Sequence, residues 1–202
     1  MTEEKFSPQE SLFLIQSMID KTKQNLRENS FYFLLWGWLV FAGALLHFSL
    51  MKFTDFRQPY LAWNLMWIGA VVSIIKGIKE GRSEAIKTYV GDTMKYFGIS
   101  MGIIYAGLIF IFARFDLWLY AFPIYILVYA MTCFFMGSIM QFPFLKWAGL
   151  SCLVIMVASA FIDYEWQLLL MALAVLISYI IPGHLLSIKD KQAKKELKEL
   201  NV

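Results

Sequence analysis

The chain reads as an all-α, polytopic membrane protein: a bundle of six transmembrane helices preceded by an N-terminal amphipathic cytoplasmic helix. Three observations predict this. Of 202 residues, 59% are hydrophobic and only 16% are charged, where a soluble domain is about half apolar and a quarter charged. Mean hydropathy is +0.60. Six long stretches contain no Asp, Glu, Lys or Arg, and only helices or closed barrels satisfy their backbone groups in lipid. Disordered chains, nucleic-acid binders and ordinary soluble enzymes are excluded by this composition.

The uncharged stretches run for 23 residues after Glu28, 18 after Arg57, 18 after Lys95, 29 after Asp116, 16 after Lys146 and 23 after Glu165. A crossing helix needs about 20 apolar residues at about 1.5 Å of rise each. The stretch of 29 is too long for one crossing and the stretch of 16 is short. Pro143 resolves both, because proline suits the first turn of a new helix. The predicted spans are 31–51, 60–78, 96–113, 117–140, 143–162 and 166–187. Lys146 is expected to snorkel to the interface.

Orientation follows from the basic residues. Residues 1–30, 76–95, Lys146 and the tail from 188 to 202 together carry 15 of the 18 Lys and Arg. Lys52, Arg57 and Arg114 make up the other side. Both termini are therefore expected in the cytoplasm, and six spans agree. No cleavable leader is expected at MTEEKFSPQE, which is acidic and polar. Trp36, Trp38, Trp63, Trp118, Trp147 and Trp166 fall near span ends, as in interfacial aromatic belts.

The chain divides into residues 1–30, the spans 31–187 and the basic tail 188–202. The loops near 52–59, 114–116 and 163–165 are too short to form a receptor domain. Residues 7–28 read as a helix with Ser7 as N-cap, Pro8 at N1 and Glu10 in a capping box. Leu12, Ile15, Ile19 and Leu26 recur at helical spacing. Such a helix suits an inner-leaflet anchor or a docking site for a cytosolic protein. The tail is a charged helix, with Asp190 spaced to support Lys194.

Within the spans, the residues open to chemistry are few. His47 and Asn64 lie at similar depth on the first hairpin, so a hydrogen bond between them is expected. Tyr125 and Tyr129 share one face of span 4 and are candidates to line a ligand cavity with His47. Cys133 and Cys152 leave the Pro143 turn in opposite directions and are expected to face each other as small residues. Gly98, Gly102 and Ala106 form a GxxxGxxxA ridge that permits close helix packing, in the bundle or in a homodimer. Pro182, Gly183 and His184 form a candidate hinge or gate at the end of span 6. Two histidines and no carboxylate deep in a span imply neither a metal site nor a cofactor, and no hydrolase, zinc-protease, phosphate-loop or CxxC motif occurs.

The run ESLFLIQSMIDKTKQNLRENSFYFLLWGWLVF, followed by QLLLMALAVLISYIIPGHLL, resembles a group of conserved hypothetical membrane proteins of Bacteroidetes-type bacteria. The resemblance covers nearly the whole chain. It implies a bacterial cytoplasmic membrane and brings no activity or site residues with it. The expected function is a non-enzymatic binding, signalling or scaffolding module whose surroundings are the lipid bilayer. The alternative is a small transporter, channel or substrate-binding transport subunit. No nucleic-acid partner is expected.

Overall fold

A computed structural model describes the backbone of residues 8–83, 89–140 and 142–200, with side chains for residues 30–79, 96–140, 142–189, 191, 192 and 195. Among these residues there are helices and no strands. In order they are α1 (Pro8–Phe53), a 3₁₀ turn (Pro59–Asn64), α2 (Leu65–Ser83), α3 (Tyr89–Phe115), a 3₁₀ turn (Trp118–Tyr120), α4 (Ala121–Ile139), α5 (Pro143–Ser159), α6 (Tyr164–Val175), a π-helical turn (Leu176–Ile180) and α7 (Ile181–Leu200). Five stretches are long and apolar enough to cross a membrane: Ser30–Phe53, Pro59–Lys79, Tyr96–Phe115, Trp118–Ile139 and Tyr164–Lys189. The helix Pro143–Ser159 is apolar but shorter, at 17 residues.

Local chemistry sets the breaks. Pro143 occupies the first turn of α5, behind an extended Phe142, because a proline there gives up only a donor that the helix leaves unpaired. At the end of α3, Asp116 takes a left-handed backbone with φ 55°. The Leu117 amide then donates to the Phe112 carbonyl at 3.1 Å, the closure of a Schellman motif. Aspartate tolerates that conformation better than most residues.

The N-terminal segment differs from the expectation of a separate helix. Residues 8–53 form one helix of 46 residues, about 69 Å long, so residues 8–28 continue the axis of the first apolar stretch. Nothing in the sequence breaks it: Glu28, Asn29 and Ser30 are polar but helix-compatible. Ser7 lies outside the described residues.

The core is built by α1, α4, α5 and the α6–π–α7 helix. Three contacts show that α1 and α6–α7 run antiparallel. Lys52 meets Glu165 at 2.8 Å, Gly37 lies against Tyr179 and Ile180, and Gly183 lies against Phe33 and Leu34. The π turn packs against α1, α4 and α5 together. The backbones of α4 and α5 approach closely, and a Cβ on Gly149 would stand 2.8 Å from the Ala130 carbonyl oxygen. Gly137 gives similar clearance to Leu145 and the stem of Lys146.

Small residues therefore do mediate close packing, but not at the predicted ridge. Beside Gly98 and Gly102 there is open space, and Ala106 is exposed. Only 6% of the apolar window of α3 is buried, and 11% of that of α2. Both helices lie at the edge of the bundle, with α3 held chiefly through Phe112, Tyr105 and Met101. At the Lys189 end, basic side chains cover aromatic rings. Lys76 lies over Phe31 at 4.4 Å, and Lys189 lies over Phe142 at 4.4 Å.

Candidate functional site

Polar side chains inside the bundle fall into two neighbouring groups, joined along one face of α4. The first surrounds His47 near the Lys52 end. His47 is 2% exposed. Its Nδ1 accepts the indole N–H of Trp63 at 2.9 Å, so the neutral ring carries its proton on Nε2. The rings of Trp63, Phe122 and Tyr164 stand 6.1 to 6.3 Å from the imidazole. One turn beyond Tyr164 on α6, Gln167 is buried; its Nε2 donates to the Ile162 carbonyl at 3.1 Å, and its Oε1 has no partner. A histidine donor and an amide acceptor thus sit in an aromatic surround.

The expected partner of His47 was Asn64, and the observed partner is Trp63. Asn64 is exposed. The reason is geometric. Pro59–Asn64 is a 3₁₀ turn with three residues per turn, so one residue of register moves a side chain by a third of a circle. Trp63 consequently faces α1 as a hydrogen-bond donor and is only half exposed, whereas Trp38, Trp147 and Trp166 are exposed.

The second group is a run of tyrosines. Tyr125 and Tyr129 do share a face of α4, but their ring partners are not His47. Tyr105 of α3 lies against both, with centroids 5.7 Å and 6.1 Å away. Phe112 packs on Tyr125 at 5.6 Å, and Tyr179 of the π turn packs on Tyr129 at 4.9 Å. The Tyr105 hydroxyl is buried beside that of Tyr129 and makes no hydrogen bond of good geometry. Thr132, one turn along α4, donates to the Val128 carbonyl at 2.8 Å and reaches the Met101 sulfur at 3.4 Å.

Beneath the tyrosines lies the π turn. A π turn disturbs the helical hydrogen-bond ladder, and such turns recur at functional sites. One cysteine bonds the turn itself and the other the end of α6 just before it. The Cys133 thiol donates to the Ser178 carbonyl at 3.4 Å and the Cys152 thiol to the Ala174 carbonyl at 3.6 Å. Both are free and fully buried. Ser178 is buried with its hydroxyl unpartnered. Of the hinge candidates, Pro182 is buried, Gly183 meets Leu34, and His184 is exposed.

Comparison with protein-family models, with curated proteins and with solved structures yields no match. Among the described residues, no three His, Cys, Asp or Glu side chains come together. The residues that sequence reasoning missed are Tyr105, Tyr164, Gln167 and Ser178. Gln167 carried a signal, as an amide inside an otherwise apolar stretch. Tyr105 and Ser178 carried none, because single hydroxyls are frequent in apolar helices.

Proposed function

We propose that this chain is a non-enzymatic integral membrane module of the bacterial inner membrane, one of the Bacteroidetes-type group it resembles, and that it works by binding and scaffolding. In this reading it crosses the bilayer six times with both ends in the cytosol. The fifth crossing is the 17-residue α5, about 25 Å long; its mismatch with a hydrocarbon core of about 30 Å is met by local thinning and by Lys146.

One observation carries the reading. The two helices α1 and α6–π–α7 are unbroken, pack antiparallel and both continue beyond their apolar stretches, α1 from Pro8 and α7 to Leu200. A change in packing inside the bundle is thereby linked along continuous helices to a platform outside it. The ligand side of the module is the aromatic surround of His47 and the adjoining tyrosines. The partner side is a cytosolic protein held by residues 8–28.

The test is affinity purification of the full chain and of a chain lacking residues 1–28 from the same membranes. Cytosolic partners are expected with the first and lost with the second. The same partners on both would remove the docking role. The transport alternative is favoured by one observation, the unpartnered polar atoms of Gln167, Tyr105 and Ser178 strung through the interior. Solute uptake into proteoliposomes that depends on Gln167 would support it over scaffolding.

A further inference from the structure

From the α3–α4 seam we infer a binding site for a membrane-soluble quinone, with the Tyr105 hydroxyl donating to a quinone carbonyl. The inference rests on the proposed reading only in taking the bundle to lie in lipid.

Three observations converge. The first is energetic. The Tyr105 hydroxyl is buried and unpartnered, and a hydroxyl held away from both water and partner costs free energy in an apolar medium. Only a poorly aligned contact with the neighbouring Tyr129 hydroxyl competes for this donor, which leaves it open to a better acceptor. The second is shape. Tyr125 and Tyr129 stand side by side opposite Tyr105, with ring planes tilted 38° and 48° to it. Phe112 and Tyr179 extend the aromatic wall at either end. Such walls accept a flat ring by replacing one stacked contact with another. The third is access. Among the core-facing residues of α3, Phe112 is buried but Tyr105 and Met101 are only half-buried. The rest of the apolar window of α3 is nearly all open. Entry of a ligand from the lipid side therefore requires a sideways displacement of α3, the helix whose apolar window is least buried.

The chemistry selects the ligand class. A donor without a well-placed acceptor asks for one, flat aromatic walls ask for a planar ring, and entry through lipid asks for a lipid-soluble molecule. A quinone meets all three requirements. No electron transfer is part of the inference; the site binds.

The experiment is calorimetric titration of the full chain in nanodiscs of quinone-free lipid, with two matched probes. One is a decyl-substituted benzoquinone. The other is a decyl-substituted trimethoxybenzene, which has a similar ring and no carbonyl. The quinone is expected to bind saturably and about five- to tenfold more tightly than the second probe, the value of one hydrogen bond between uncharged groups. In Tyr105→Phe the two probes are expected to bind alike, while its melting temperature without probe stays equal or rises, because an unsatisfied hydroxyl has been removed. Equal binding of the probes by the unaltered chain would overturn the inference. So would a Tyr105→Phe protein that keeps the preference. Either failure would leave the docking role of residues 8–28 untouched, since that is read from cytosolic partners alone.

Discussion

At the residue scale, the decisive contact is that between His47 and Trp63, because it closes the first hairpin with a side-chain hydrogen bond away from water. His47→Ala leaves the indole N–H of Trp63 without its acceptor at 2.9 Å and is expected to lower stability by about 1–3 kcal/mol, measured as a lower melting temperature in detergent. Glycine gives a second, paired prediction. Gly149→Ala drives a methyl to 2.8 Å from the Ala130 carbonyl and should cost about 1–3 kcal/mol. Gly102→Ala enters open space and should change stability by no more than about 0.5 kcal/mol. A common unfolding titration of both variants checks the pair, and equal losses would refute the packing order. The sequence marked His47 as the hydrogen-bonding residue of the hairpin, yet not its partner, because depth along a helix is readable from the chain while azimuth in a 3₁₀ turn is not. It marked glycines as packing residues but chose the ridge of α3, since a GxxxG pattern specifies closeness without saying to what.

At the element scale, the helices were legible because lipid imposes them: uncharged stretches near the right length must satisfy their own backbone. Which face of each helix turns inward was far less legible. Hydropathy separates inside from outside in water, but here both sides are apolar, and large hydrophobic residues occupy both, with Phe112, Ile126 and Leu168 in the core. Phe110, Trp67, Val154 and Ile103 are each about 70% exposed, while Cys133, Cys152 and Ser178 are at 0%. Small, weakly polar residues mark the interior because they allow close approach and find partners there. The π turn was invisible for a related reason, as its contacts with α1, α4 and α5 are tertiary. Helix ends were more readable, and Asp116 offers a test. Asp116→Gly removes the side chain from a left-handed position at φ 55° and should raise stability by up to about 1 kcal/mol. Asp116→Val should lower it, because a β-branched residue is strained there. Urea unfolding of the two variants in the same detergent should move the midpoint in opposite directions.

At the scale of the whole molecule, charge and packing make separate demands that agree on one arrangement. Counted on the six proposed spans, 15 basic residues fall on one side and three on the other, which favours both ends on the cytosolic face. The antiparallel contacts of α1 with α6–α7 require the first and last apolar helices to cross in opposite senses. In the proposed arrangement the number of crossings is therefore even, with α5 among them despite its 17 residues. Thiol labelling tests this directly. Cys133 and Cys152 are fully buried, so the native chain should resist a membrane-impermeant maleimide when folded. Added singly, Arg57→Cys in the exposed α1–α2 connection should be labelled in intact spheroplasts. Thr2→Cys and Asn201→Cys should be labelled only after the membrane is opened. Labelling of Asn201→Cys but not Thr2→Cys in intact spheroplasts would mean an odd number of crossings and would take α5 out of the bilayer. Labelling of both would reverse the charge argument while preserving the packing one, so the experiment separates the two lines of reasoning on which the topology stands.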